Sequence, residues 1–395
     1  MKRIHLSPQD PSFVQNPYPF YDKVRKMGEM VYWEELGKPV IAGYDGVSMA
    51  LRDNRFGREA PEGFAPDIPE NLIPFYDIEA HSMLELEGDR HARLRSLVLR
   101  AFTSRRIRTL APDIEEITNT LIDAFPAHGE SFDLLPAFCR EIPIRVICRM
   151  LGVPEDMSED LLEWSNAMVA LYTPNRTPAV EEAAVKAANE FSAFMRDYVE
   201  SRRKSPADDL ITSLIAAEEE GERLSTDELI TTCILLLNAG HEATVHSLGI
   251  AVKTLLEQNC VPDALAEDRI DGAIEETLRF DPPLHFFDRW VYEDTTFLGV
   301  DLKRGDKIGL LLGGANRDPD AFLHPNTFDP TRKIKQNTSF GAGIHFCVGA
   351  PLARMEMRIA LPLLFERCPN LRLTETPTYA NTWHFHGLSK LLVET

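Results

Sequence analysis

The sequence predicts a mainly α fold with small β-sheets. Three observations carry this reading. Amphipathic helical periodicity dominates residues 90–280. One stretch, 226–258, keeps helical character far longer than its neighbours. Aromatic and β-branched runs broken by Gly and Asp gather toward the two ends of the chain. No Ser/Gly-rich or Pro-rich linker divides the 395 residues, and the 27 prolines are spread out. The chain therefore reads as one unit, 1–395. Its β-richer part runs to about residue 60, its helical body covers about 90–280, and a β-rich part with a cysteine loop covers about 284–395.

Each element has a local reason. "EMVYWEELGKPVIAGY" (29–44) places two apolar-rich runs around Leu36-Gly37-Lys38-Pro39, a hairpin pattern. Helical periodicity is clear in 114–126, 141–151, 158–172, 179–203 and 207–219. The long stretch opens with "STDE", where Ser225 and Glu228 have capping-box spacing. At about 1.5 Å per residue it would run about 50 Å, through the body of the protein. After "EETLRFDPP" (275–283), the segment "HFFDRWVYEDTTFLGVDLKRGDKIGLLLGGA" reads as short strands, and "YANTWHFHGLSKLLVET" as extended chain.

Composition excludes several functions. The net charge of −20 argues against nucleic-acid binding, which needs a basic footprint. Six cysteines without CxxC pairing argue against a disulfide framework and for a reducing, cytoplasmic setting. The N-terminus lacks the apolar core of a signal peptide. The longest apolar run, "CILLL" (233–237), is too short to cross a membrane. One local exception to the acidic balance is the run of seven arginines between Arg90 and Arg108, a solvated face or a docking patch for an acidic partner.

Three stretches carry chemistry. In "LLLNAGHEATVHSLG" (235–249), an apolar helix abruptly holds Gly240, His241, Glu242 and Thr244. Buried groups of this kind are costly unless paired, so the stretch either surfaces or faces a functional cleft. "EETLR" sets Glu276 and Arg279 on one helix face, and Arg289 stands among aromatics where it needs an anion. "SFGAGIHFCVGAPLARME" (339–356) frames Cys347 with Gly341, Gly343 and Gly349 just ahead of a helix. A structural cysteine, a nucleophile beside His345, a zinc ligand and a haem-iron thiolate are the four readings of Cys347.

"FGAGIHFCVGAPLAR" resembles the haem-binding loop of the cytochrome P-450 haem-thiolate monooxygenases. "AGHEAT" resembles that family's oxygen-activating helix, "EETLR" its Glu-x-x-Arg motif and "FDPTR" (328–332) its meander. "ANRDP" (315–319), "HARLRSLVLRAFTSRR" (91–106) and "NPYPFYDKVR" resemble the soluble bacterial members. The motifs fall in the family's order and span nearly the whole chain.

The resemblance implies a single large P-450-type fold with its long central helix under the haem, and haem b (iron protoporphyrin IX) as cofactor. Cys347 would be the axial thiolate of the haem iron, shielded by Phe340 and hydrogen-bonded by N–H groups around Val348 and Gly349. His91, Arg95, Arg289 and His345 would hold the propionates, with Gly341 giving the cofactor clearance. Glu276, Arg279 and Arg332 would form a structural network. Gly240, Glu242 and Thr244 would serve dioxygen on the distal side. The chain departs from the family where Thr usually follows the acidic residue: Ala243 stands there.

The substrate-contacting segments would supply Phe75, Met168, Leu171, Tyr172, Leu235, Ala239, Phe286, Phe287 and Phe385, an apolar lining with Asp288, His384 and His386 nearby. Arg100, Arg105 and Arg106 would dock an acidic ferredoxin, or a flavodoxin, fed by its reductase. The activity implied is monooxygenation of a small apolar organic substrate with dioxygen. Ala243 motivates one alternative, a peroxide-driven or atypical oxidase. A non-catalytic haem sensor is another.

Overall fold

The structure, a computed structural model, describes all residues except 173–175, 220–223, 334–335 and 383–384, so His384 lies outside the described residues. Short helices α1 (Pro11–Gln15), α2 (Tyr18–Met27) and α3 (Tyr44–Ala50) surround the N-terminal strands, whereas α4 (Ile73–Glu79) packs into the helical body. The helical body follows: α5 (Gly88–Ala101), α6 (Ser104–Thr109), α7 (Ala111–Asp123), α8 (Glu141–Leu151), α9 (Ser158–Ala170), α10 (Pro178–Lys204), α11 (Leu210–Glu219) and α12 (Thr226–Glu257). Then come α13 (Val261–Ala264), α14 (Ile270–Phe280), α15 (Leu312–Ala315) and α16 (Ala350–Arg367).

The mixed sheet joins β1 (Lys2–Ile4), β2 (Val31–Trp33), β3 (Lys38–Ile41), β4 (Phe56–Gly57), β6 (Phe286–Val291) and β9 (Lys307–Leu311) in the order β1-β2-β3-β9-β6-β4. The expected hairpin is β2–β3, antiparallel with Val31 opposite Val40. Gly37 closes it at φ 63°, left-handed backbone that glycine adopts without strain. A small sheet orders β10 (Arg372–Leu373), β11 (Leu392–Glu394) and β5 (Phe132–Asp133), and β7 (Thr295–Phe297) pairs with β8 (Val300–Leu302).

The long helix α12 is continuous over 32 residues. Both arms of its capping box form: Ser225 Oγ accepts from the Glu228 N–H at 3.2 Å, and Glu228 Oε2 accepts from the Ser225 N–H at 2.9 Å. Arg93 of α5 donates to the same carboxylate at 3.0 Å, so the cap also fixes α5 against α12. The main apolar core lies around α12, between α5, α7–α11, α14 and α16. Among the described residues, no helix is long and apolar enough to cross a membrane.

Helix α14 holds the chain that leads to the cysteine loop. Glu276 and Arg279 are fully buried, and Arg279 donates twice to the Glu276 carboxylate, at 2.7 and 2.8 Å. Arg332 Nε lies 3.1 Å from that carboxylate, and the Asp329 N–H donates to it at 2.9 Å. Arg279 also donates to the carbonyls of Asn316 and Pro325, at 2.8 and 2.9 Å. Asn316 Oδ1 accepts from the Thr338 N–H at 2.8 Å, and Ser339 Oγ donates to the Leu278 carbonyl at 2.7 Å.

Removing one partner of a buried ion pair strands the other charge. Arg279→Leu is therefore expected to lower the unfolding free energy by about 3–5 kcal/mol. Denaturant titration checks this, and a loss under about 1 kcal/mol would contradict it.

Candidate functional site

Cys347 sits between a short turn at Gly343–His345 and the start of α16. Its N–H donates to the Phe340 carbonyl at 3.0 Å, which closes the loop on itself. Gly341 and Gly343 take φ 66° and 69°. A Cβ on Gly343 would come within 2.3 Å of the Leu51 carbonyl oxygen, so that glycine clears neighbouring backbone rather than a cofactor. Gly349 lies nearest the sulfur: a Cβ there would stand 3.8 Å from Sγ.

The sulfur is hydrogen-bonded by the backbone of Gly349 and Ala350, one residue later than the Val348–Gly349 pair expected, because Gly349 caps α16. Burial pushes the Cys347 thiol up, against those N–H groups and the Arg95 and Arg354 guanidiniums. A metal ion would offset that burial, since a coordinated thiol is deprotonated outright. Arg354 stacks over the Phe340 ring at 4.5 Å and is anchored by Glu275 of α14. The remaining cysteines are also free thiols.

Four cationic or imidazole groups converge beside this loop. Arg95 of α5 donates to the Phe346 carbonyl at 2.5 Å. The His91 and His345 rings lie 4.4 Å apart. His345 Nε2 meets Glu87 Oε1 at 2.8 Å, so it already has a carboxylate partner. Burial, with His345 beside it, pulls His91 down to about 4. Arg289 on β6 is buried, 3% exposed, and its one hydrogen bond is to the Asp288 carbonyl at 2.8 Å. Among the described residues it has no ion-pair partner. Burial, with Arg58 adding repulsion, pushes its guanidinium down to about 10. A buried arginine left without a carboxylate fits an anionic ligand.

The central helix presents one accessible stripe. Leu235, Ala239, Gly240, Glu242 and Ala243 are partly or well exposed on a helix that is otherwise buried here. Glu242 Oε1 lies 3.2 Å from His246 Nε2 and Oε2 lies 3.8 Å from His241 Nδ1. Burial holds His241 down to about 4. Thr244 is off this stripe: it is buried, and its hydroxyl donates to the Gly240 carbonyl at 3.2 Å. The Cβ side of Gly240 faces Ile147 of α8, at 3.3 Å, and leaves room for that side chain rather than for a flat ligand.

The expected apolar lining divides. Leu235, Ala239, Phe287 and Phe385 are accessible to different degrees, and Tyr172 is 37% exposed. Phe75, Met168 and Leu171 are packed in the main core. Phe286 joins the N-terminal cluster with Trp33 and Phe20, because alternation along β6 turns it away from Phe287. Asp288 pairs with Lys38 at 2.8 Å, and His386 lies against Asp281, so neither belongs to this lining. Of the arginines, Arg100 and Arg105 are exposed, whereas Arg106 pairs with Asp208 at 3.0 Å. Glu87, Arg58 and Arg354 are site neighbours that the sequence did not reveal.

The family model for cytochrome P450 matches residues 14–269 and 270–385. The chain belongs to the cytochrome P450 family. It is 38% identical over 380 residues to cytochrome P450 107B1 of Saccharopolyspora erythraea, covering 90% of this chain and 88% of that one. It is 36% identical to the cytochrome P450 monooxygenase PikC of Streptomyces venezuelae, covering 92% and 87%. The structure of P450BioI in complex with a hexadec-9Z-enoic acid ligated acyl carrier protein superimposes with a TM-score of 0.90 at 31% identity, covering 98% and 100%. Family membership makes this chain a haem-thiolate oxidoreductase with haem b as cofactor, and its mainly α fold is that of its P450 neighbours.

Cys347 with its two N–H donors and the unpartnered Arg289 fit that cofactor. If Arg289 exists to bind an anion, Arg289→Leu relieves the haem-free protein of a buried charge while loosening the haem. Transfer of haem to an acceptor globin is then expected to quicken about tenfold or more, with haem-free stability unchanged or raised. Equal transfer rates for the variant and the parent protein would contradict this.

Proposed function

We propose that this P450 oxidises a small apolar organic substrate with dioxygen and electrons from separate partner proteins. The observation that supports it is the accessible stripe of α12, Leu235–Ala239–Glu242–Ala243, on a helix buried everywhere around it. Haem b, when bound, supplies dioxygen activation, with the thiolate donating electron density. Cys347 is the iron ligand in this reading, and the Gly349 and Ala350 N–H groups tune its donor strength. Phe340, with Arg354 over its ring, shields the sulfur. His91, Arg95, Arg289 and His345 bind and orient the propionates, while Gly341 shapes the loop. The Glu276–Arg279–Arg332 network keeps the proximal chain in register.

Leu235, Ala239, Phe287 and Phe385 form the apolar wall that orients substrate and excludes water. Relatives named for polyketide biosynthesis, vitamin D(3) hydroxylation and epothilone C/D epoxidation support an apolar substrate class. Arg100 and Arg105 form the docking face for an acidic ferredoxin or flavodoxin, with Arg106 tied back to Asp208. The reducing, cytoplasmic setting suits six free thiols.

Proton delivery falls to Glu242, because Ala243 offers no hydroxyl and Thr244 spends its own on the Gly240 carbonyl. The same observation favours a second reading, a peroxide-driven or atypical oxidase. Reconstitution with a ferredoxin, its reductase and a library of apolar compounds under labelled dioxygen separates the two. One labelled oxygen in the product, at a rate above that with hydrogen peroxide alone, is the result expected. Turnover with peroxide as fast as with partners would overturn the first reading.

A further inference from the structure

We propose that Asp281, His285 and His386 form a buried binding site for a divalent transition-metal ion of the zinc class, separate from the haem pocket. Asp281 ends α14, His285 precedes β6, and His386 lies in the C-terminal extended segment. They are 4%, 3% and 7% exposed. One ligand atom from each lies within 4.8 Å of the other two, and among the described residues this is the one such group of three.

The chemistry of the set is that of a metal site: two imidazoles and a carboxylate, N₂O, which suits first-row ions such as zinc or ferrous iron. His386 Nε2 is 3.4 Å from Asp281 Oδ1. Two ligands each about 2.1 Å from one ion stand about 3–3.4 Å apart, so this pair is already spaced for it. The His285 and His386 rings are 4.5 Å apart at their centroids.

The outer contacts match what metal ligands need. A ligating histidine donates its second N–H to a fixed acceptor, which sets the tautomer. Tyr21 OH lies 3.0 Å from His285 Nδ1, and His285 Nε2 is buried with no protein partner. That orphaned nitrogen is what a ligand ion would satisfy. Tyr18 OH donates to Asp281 Oδ1 at 2.7 Å, and Tyr379 OH donates to Oδ2. Tyr379 also stacks on His386, with centroids 3.7 Å apart and planes at 11°. A cavity of about 20 Å³ lies on the side of the two histidines away from Asp281, lined by Tyr21, His285, Phe385 and His386.

Two cations approach the cluster, and both are engaged elsewhere. Lys253 pairs with Glu257 at 3.0 Å. Arg317 is held between the Tyr18 and Phe280 rings, 3.8 Å from each, and donates to the Phe280 carbonyl at 2.7 Å. The ion would tie α2, the end of α14, the start of β6 and the C-terminal segment into one clamp. That segment carries Phe385, whose ring lies 6.0 Å from His246 of α12, so the clamp would set one wall of the distal pocket.

The test uses tag-free holoenzyme, washed with chelator and titrated with zinc chloride, with zinc per haem read by elemental analysis. Wild type and the exposed-site control His5→Gln are expected to retain about one zinc per haem and to gain thermal stability. His285→Gln and His386→Gln are expected to lose both effects. Tyr21→Phe keeps all three ligands and is expected to weaken zinc binding about 10–100-fold, which decides the matter where a ligand variant fails to fold. No zinc retained by wild type, or equal retention in wild type and Tyr21→Phe, would mean a hydrogen-bonded network only and would overturn the proposal.

Discussion

The buried pair between Glu276 and Arg279 is the interaction on which the proximal half of the molecule depends. Both side chains are wholly excluded from water, so each charge is tolerable only because the other is there. The carboxylate collects Arg332 and the Asp329 N–H, and the guanidinium collects three carbonyls from the chain after β9. One helix thereby dictates the path of the segment that arrives at Phe340. Its neighbour Glu275 fixes the far side of the same loop through Asn337 and Arg354. Cys347 is held from both directions by adjacent residues of α14.

That rigidity matters because the sulfur is in an environment that resists charge. Burial raises the thiol, while two backbone N–H groups and two arginines work in the opposite sense. The net effect is upward, and a metal ion facing the sulfur would act against it. Arg289 shows the complementary condition: a buried cation that, among the described residues, pairs directly with no carboxylate, Glu87 and Glu85 acting on it only from a distance. In the proposed reading, haem would supply iron to the cysteine and a carboxylate to the arginine. Family membership and local electrostatics reach the same cofactor by different routes.

Much of this was legible in the sequence where the signal is local. The capping box at Ser225–Glu228, the hairpin around Gly37 and the strand starting at Phe286 follow from spacing and alternation. The cysteine loop was legible because it packs its residues into one motif. What was not legible depends on chain brought from afar. Glu87 meets His345 across 258 positions, and no pattern in either segment signals it. Phe286 and Phe287 looked equivalent as neighbouring aromatics, yet the pleat sends them to different clusters. Thr244 was expected to serve dioxygen on the distal side, and helix geometry turns its hydroxyl toward the Gly240 carbonyl instead. Gly240, expected to serve dioxygen, opens toward α8 instead, because the side of a helix that a glycine opens is set by the neighbouring helix.

The central claim is that Cys347 binds haem iron as a thiolate in a loop held by α14. The absorption spectrum of the reduced protein under carbon monoxide tests it most directly. The account predicts the long-wavelength Soret band of a thiolate-ligated haem, and its replacement in Cys347→His by the shorter-wavelength band of an imidazole-ligated one. A histidine-type spectrum in the unaltered protein, or a thiolate spectrum that survives Cys347→His, would contradict it.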